Sequence, residues 1–487
     1  MTAGLGVNSA TLTAGATFAE TGSDSVTLAF VGYPGWLAVD PENGDDETGT
    51  GTVENPLKTI GFAASLLKPG EEVRLLPGTY SPETETFPLQ PGDVKLVGWN
   101  PSGDTDRAAH VITGGDTAAR VLYYLNGESS SVENVAIRDT LDSAIRLDGA
   151  EVTFKNVLFT QATQNYGTGG AIQLQDNAVA TAEDCLFDGI SRVAAVVGVY
   201  GALNNADVFY ARRCRFEDID SNWGLGVSMV SGLGTPTVYF DYRDCVFTNC
   251  TSLGGYISDA YSGAIAYLRA GGKVTADRCE FLDCDGGSLF TICYGGAEID
   301  NSLIAGCDNN AGVFDGSGNA IAYIRNCTIT GCSGGFNCFD VTCVIYNSIL
   351  AGNGAISFVR WDLGGRTDLA WHSSKPVYLT DTIVWNTPDG VQDFTGTKTN
   401  VIEKDPLLRG ALSYDPETEA DVSKLDAHLR SGSPALDAGT NANVLGDYDL
   451  AGAPRIRVAL PGAETATVDL GCYESDKVSF GTVLMLK

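Results

Sequence analysis

One short motif recurs ten times along the middle of this chain: a polar or charged residue, Asn or Asp in most copies, a small residue, and two positions later a large apolar one. It reads ENVAIRD from Glu133, KNVLFTQ from Lys155, EDCLFDG from Glu183, RRCRFED from Arg212, RDCVFTNC from Arg243 and DRCEFLDC from Asp277. It continues as DNSLIAGC (Asp300), RNCTITGC (Arg325), YNSILAGN (Tyr346) and TDTIVWN (Thr380). The intervals run from roughly 21 to 34 residues, the length of one coil in a parallel solenoid.

Each position of the motif has a physical reading. Asn134, Asn156, Asp184, Asp244, Asn301, Asn326, Asn347 and Asp381 form a column of residues that tolerate left-handed backbone, so the column is a bend. The next residue is small (Val135, Cys185, Cys214, Cys245, Ser302, Ser348). Two further on stands Ile137, Phe159, Phe187, Phe216, Phe247, Phe281 or an aliphatic residue. A spacing of two places both on one face of a strand, directed inward. Ahead of the bend a second strand ends in a charged column, Glu133, Lys155, Glu183, Arg212, Arg243, Asp277, Asp300, Arg325, which predicts a solvated ladder of pairs between coils. A third strand opens most coils, as in SAIRLD (Ser143), GAIQLQ (Gly170), GAIAYL (Gly263), GVFD (Gly312) and AISFV (Ala355).

The predicted fold is therefore all-β: a right-handed parallel β-helix of about ten coils with three strands each, on the order of 50 Å long at about 4.8 Å per rung. The 44% hydrophobic content can fill a continuous core, and 59 Gly with 17 Pro supply the turns. Parallel pairing leaves free edges only at the two ends, which need caps. Thr59–Leu67, the one amphipathic helical stretch, suits the first of these.

A formal charge of −31, from 61 acidic against 30 basic residues, repels phosphate backbones and anionic membranes and argues against a nucleic-acid partner. No stretch approaches the roughly 18 to 20 apolar residues of a transmembrane helix. The opening MTAGLGVNSATLTAG lacks the basic start and apolar run of a signal peptide, so residues 1–35 read as a leader or the end of a preceding β module. The 13 cysteines concentrate in two columns, Cys185, Cys214, Cys245, Cys279 and Cys327, and Cys250, Cys284, Cys307 and Cys332. Their spacing does not match a zinc knuckle. They either fill a tight inward column as small apolar residues or form bridges between rungs, and the odd total leaves at least one thiol unpaired.

Two stretches resemble known families. Asp45, Asp46, Gly49, Thr50, then Asn55-Pro56, Lys58-Thr59-Ile60 and Pro77-Gly78-Thr79-Tyr80 resemble the opening module of secreted β-helix proteins of the DUF1565 and pectate-lyase-like group. Near the other end, DPLL (Asp405), LRSGSPALDAGT (Leu429), DYDLAGAPR (Asp447) and VDLGCYE (Val468) resemble bacterial choice-of-anchor Q proteins, although Cys472 stands where those carry a small residue such as Ala. The resemblance implies a right-handed β-helix that is secreted or held at the cell surface. The chain then divides into the leader, 36–115 as N-terminal cap and first coils, 116–402 as central coils, and 403–487 as a C-terminal cap region.

The basic-residue motifs of pectate-lyase-like enzymes and the carboxylate motifs of polygalacturonases are missing, so catalysis stays open and no catalytic residue is assigned. The binding candidates are aromatic residues in loops leading into the third strand, Tyr166, Trp223, Tyr256 and Tyr261. Outward polar residues of adjoining strands join them: Arg146, Asp148, Gln173, Gln175, Asp315, Asn337 and Asp340. Flat apolar rings beside polar groups suit sugar rings, whereas the plainer reading is that they cover core edges. The turn around Asp45 and Asp46 offers oxygens for calcium, against the plainer reading of an Asx turn. The expected partner is a polysaccharide or surface glycan, bound or processed by a monomer. The alternative is a non-catalytic stalk or adhesin domain.

Overall fold

The structure, a computed structural model, describes residues 34–476 except 116, 161–168, 192–194, 201–205, 222–225, 232–237, 253–262, 269–270, 309–312, 318–319, 334–340, 355, 358–375, 387–390, 393–395, 416–417, 419 and 461–464. It is a right-handed parallel β-helix with three faces. The first two faces share one 26-stranded sheet, and the third is an 8-stranded sheet.

The eight strands ending in the charged column stack in register on the first face, as in Lys155 opposite Glu133 and Glu183, and the next two coils add Tyr346 and Thr380 to the same register. The stack continues beyond the repeat, with Trp36–Val39, Glu72–Leu75 and Lys95–Gly98 before it and Gly396–Ile402 after it. The residues after these strands turn sharply. Asn134, Asn156, Asp184, Asp244, Asn301, Asn326, Asn347 and Asp381 all have φ between 49° and 57°, and Arg213 and Arg278 hold the same conformation in the two remaining central coils. A second left-handed column closes the second face: Asp139, Gly189, Asp218, Asn249, Asp283, Gly306, Gly331 and Gly352, with φ from 50° to 68°. Sequence reading passed over this corner, although an Asn, Asp or Gly stands immediately before each cysteine of the second column.

The interior is built by stacking like on like. Phe159, Phe187, Phe216, Phe247 and Phe281 lie face to face on five successive coils, centroids 4.6–4.9 Å apart. Cys185, Cys214, Cys245 and Cys279 stack at the first corner, and Cys250, Cys284, Cys307 and Cys332 at the second, all buried free thiols. They hydrogen-bond to backbone carbonyls, as Cys214 Sγ does to Ala182 O at 3.3 Å. The apolar-filler reading therefore holds for both columns. Cys343, outside them, is disulfide-bonded.

The charged column behaves differently from its sequence reading. Arg325 does pair with Asp300 at 2.5 Å, but it also reaches Glu298. Arg212 and Arg243 both turn to Asp241, two residues before the column. Long side chains reach diagonal partners as easily as direct ones. Pairs as exposed as Arg213–Asp184 contribute little to stability.

At the N-terminal end, the helix Ile60–Leu66 buries Ile60 and Ala63 against the open core, and the Thr59 side chain caps it by accepting from Phe62 N. The described residues of 405–476 do something the sequence did not show: they lie along the outer side of the second face in the late coils. Leu303, Ala305, Ile349, Ala351 and Ile383 point outward there and are nonetheless buried, under Leu408, Leu412, Leu429, Leu436 and Leu470. The signal was present in the strands themselves. LFD buries only its central Phe and RFEDID only its inward residues, whereas LIA and ILA are apolar and buried throughout, the mark of a strand covered on both faces. This lateral cover is tied to the bend column. Asn347 Nδ2 donates to Thr440 O, Thr440 N donates back to Asn347 Oδ1, and Asn301 Nδ2 donates to Leu445 O.

Two buried carboxyls couple the N-terminal cap and the lateral cover to pH. Glu85 accepts from Ile60 N at 2.7 Å beneath the capping helix, and burial pushes its carboxyl up to about 7. Glu474, buried in the lateral cover, is pushed up to about 9 by burial and by neighbouring Asp469 and Asp449, against the pull of Arg455. A carboxyl whose proton is held more tightly in the fold than in the unfolded chain adds stability that is complete below its ordinary value and is lost as pH rises through the folded value. The window is therefore from about 4.5 to about 9. The melting temperature is expected to rise as buffer pH is lowered from about 9 to about 6.5, above the range where His110, whose proton affinity burial reduces, would oppose it. Scanning calorimetry checks this, and Glu474→Gln should flatten the slope. A melting temperature that climbs with pH across that interval would contradict the assignment.

Candidate functional site

The corner between the second and third faces carries a cavity. Its inner wall is laid down by successive coils: Asn249, then Asp283 and Asp285, then Asp308, then Ser333. Its outer wall comes from the lateral cover, through Tyr414, Asp415 and Thr418. The cavity is about 510 Å³, within the size range of small-molecule sites.

Local backbone chemistry builds both walls. The left-handed residues Asn249 and Asp283, and the glycines Gly306 and Gly331, bend the chain away from the core and put the residues that follow at the rim. Asp308 N donates to Asp285 Oδ1 at 3.0 Å, linking two coils, and Asn249 Nδ2 donates to Asp218 Oδ1 at 2.7 Å, linking two more. The outer wall is anchored where Tyr414 N donates to Gly352 O at 2.7 Å and Thr330 Oγ1 donates to Leu412 O at 3.2 Å. Gly331 is required at this contact, since a Cβ there would lie 2.6 Å from Leu412 Cβ. Partial burial and the nearby Asp308 and Asp415 raise the proton affinity of the Tyr414 phenolate, so its hydroxyl remains a donor at neutral pH. The cleft thus joins carboxylates, hydroxyls, one amide and one aromatic ring.

The residues singled out from sequence fall in several places. Tyr166, Trp223, Tyr256 and Tyr261, with Asn337 and Asp340, lie outside the described residues. In chain order the four aromatics follow second-face strands and precede third-face strands, the same connection that lines the cleft in later coils. Arg146, Gln173 and Asp315 share one backbone register column of the third face, running Tyr123, Arg146, Gln173, Gly198, Met229, Tyr267, Thr291, Asp315. Arg146 is bound to Asp148 through two hydrogen bonds, 2.8 and 3.1 Å, and lies over the Tyr123 ring, whose hydroxyl also donates to Asp148. Gln173 is only 7% exposed and accepts from Ser143 Oγ at 3.4 Å. Gln175 sits beside Asp148 on the next rung.

Asp45 and Asp46 serve the turn itself. Asp45 Oδ1 accepts from Glu47 N and Thr48 N, an Asx turn. Asp46 accepts from Lys58 N, Thr59 N and Thr59 Oγ1, which ties the turn to the start of the capping helix. Among the described residues, no three His, Cys, Asp or Glu side chains gather as a metal site would require. No helix among them is long and apolar enough to cross a membrane.

Residues 42–205 match the family described as Protein of unknown function (DUF1565). No curated protein matches the chain. Among solved structures, a pectate lyase is similar at 14% identity, covering 91% of this chain and 96% of that one with a TM-score of 0.37. A rhamnogalacturonan lyase is similar at 14% identity over 75% and 86%, TM-score 0.31. The A-module of a mannuronan C-5 epimerase from Azotobacter vinelandii is similar at 13% identity over 69% and 91%, TM-score 0.26.

Proposed function

We propose that this chain is a secreted or cell-surface β-helix protein of the choice-of-anchor Q type that binds or processes polysaccharide along the corner between its second and third faces. The observation that carries the reading is the cleft: a concave, polar channel about 510 Å³ in volume, crossing successive coils, with the Tyr414 ring in its wall. Sugar recognition needs that combination, a flat apolar face for the ring and donors and acceptors for its hydroxyls. Tyr166, Trp223, Tyr256 and Tyr261, outside the described residues, fall in chain order in the same connection of earlier coils and are proposed as further binding residues.

A second reading, a non-catalytic stalk or adhesin domain, is favoured by the first face. Its outward charges are largely engaged with one another, as Arg278 is with Asp244 and Asp277. Glycan-array binding by the full chain, repeated with Tyr414→Ala, separates the two. The binding reading expects recognition of at least one glycan class and about tenfold weaker affinity in the variant, equivalent to about 1.4 kcal/mol. Recognition of none, or undiminished binding by a folded Tyr414→Ala protein, would leave the stalk reading standing.

A further inference from the structure

We infer that ordered water is bound as a structural component of the seam between the bend column and the lateral cover, held by the side chains of Asn301, Asn326 and Arg455. The bend column meets the cover through its asparagines. On one rung Asn347 is satisfied by backbone alone, donating to Thr440 O at 3.1 Å and accepting from Thr440 N at 2.9 Å. Two rungs earlier, Asn301 Nδ2 donates to Asp277 Oδ1 at 2.8 Å and to Leu445 O at 3.2 Å. Asn326 stands on the rung between them. The cover crosses from Thr440 to Leu445 through the short 3-10 turn Asn441–Asn443, and neither amide atom of the fully buried Asn326 side chain has a hydrogen-bond partner among the described residues.

Two further buried atoms lie along the same seam. Asn301 Oδ1 and Arg455 Nε are also without partners among the described residues, and Arg455 Nη2 sits 3.0 Å from Asn326 O. Asn301 and Asn326 are 0% exposed and Arg455 is 1% exposed, so bulk solvent does not satisfy them. Buried donors and acceptors are almost always paired in folded proteins, and these point to a partner from outside the chain.

Their chemistry selects that partner. Asn326 Nδ2 and Arg455 Nε give hydrogen, whereas Asn326 Oδ1 and Asn301 Oδ1 receive it. The two donors oppose a metal cation, and the two amide oxygens oppose an anion. Water presents two donors and two acceptors, the same set reversed. Turning the Asn326 amide over exchanges its two ends and leaves the set unchanged. The spacing agrees. Adjacent rungs lie about 4.8 Å apart, and a water hydrogen-bonded on both sides spans up to about 5.6 Å, so one molecule can join Asn301 to Asn326. Water thereby does for the middle rung what the Thr440 backbone does for the next one, fixing the cover against the bend.

A high-resolution crystal structure of the full chain tests this, together with oxygen-17 relaxation dispersion, which reads long-lived internal water in solution. Electron density for water is expected within about 2.7–3.2 Å of an Asn326 amide atom and of Asn301 Oδ1 or Arg455 Nε. Asn326→Leu keeps the side-chain shape and removes both polar ends, and Arg213 and Arg278 show that the bend accepts residues other than Asn and Gly. Its long-lived water signal should fall below that of the parent. Asn134→Leu, at the same bend in a coil outside the cover, should leave the signal unchanged. Direct pairing of Asn326 with Arg455 Nε or another protein atom in the crystal, with no water between, would overturn the inference. An anomalous peak at the seam in crystals grown with bromide would replace water by a halide as the ligand. An undiminished signal in folded Asn326→Leu protein would also overturn it, and if that variant does not fold, the density in the parent crystal decides.

Discussion

Phe216→Ala is expected to destabilise the central coils by about 3–5 kcal/mol, the range for emptying a fully packed aromatic site. Phe216 is completely buried, stacks on Phe187 at 4.6 Å and on Phe247 at 4.7 Å, and meets the Tyr242 ring edge-on at 5.8 Å. Its removal breaks two stacking contacts at once. The rungs above and below are held at their spacing by backbone hydrogen bonds and cannot move in to fill the space. In a solenoid each coil contacts only its neighbours, so the loss falls on the coils around residues 183–250 rather than on the whole chain. Urea unfolding followed by circular dichroism should show a lowered midpoint, with Phe216→Leu recovering a large part of the loss. Arg215→Ala, one residue away on the exposed side, should stay within about 0.5 kcal/mol of the parent. Equal effects from the buried and exposed replacements would contradict the stacked-core assignment.

The phenylalanine ladder and the bend column could be read from sequence because both depend on neighbours within one strand or one turn. Asn134 through Asp381 announce a left-handed corner by residue type alone. Third-face strands such as Val197–Tyr200 and Ser228–Ser231 were harder to see, because the connections before them vary in length and shift them out of phase with the repeat. The cleft was not legible at all. Asp283 and Tyr414 share it across more than a hundred residues of chain, and no local pattern tells where the segment after Ile402 will come to rest. The double-sided apolar strands from Leu303 onward record that something covers them, without saying what. Side-chain choice within the charged column was equally out of reach, since Arg212 selects Asp241 by reach and geometry rather than by sequence offset.

That covering segment makes its own demand, and the expected consequence of Arg455→Met is its release from the coils. Arg455 is 1% exposed, pairs with Glu474 at 3.1 Å, and donates from Nη2 to Asn326 O at 3.0 Å and to Gly471 O. One guanidinium therefore joins the bend column, the final turn of the cover and a buried carboxylate. Methionine preserves much of the volume but removes the charge. Asn326 O and Gly471 O then lose their buried donor, at about 1–3 kcal/mol for each group left unsatisfied, and the buried Asp449 and Asp469 lose the nearby cation. Because burial holds the Glu474 proton up to about 9, the penalty should be smallest at and below neutral pH and grow as pH rises past about 9, where Arg455→Met/Glu474→Gln should recover part of it. Amide hydrogen exchange across residues 405–476 should quicken in the single variant while the Phe159–Phe281 coils keep their protection. The outer wall of the cleft travels with this segment through Leu412 and Tyr414, so glycan binding should fall in the same variant. Unchanged exchange in 405–476 would show that the cover is held by its apolar contacts to Leu303 and Ile349 alone, with the buried ion pair dispensable.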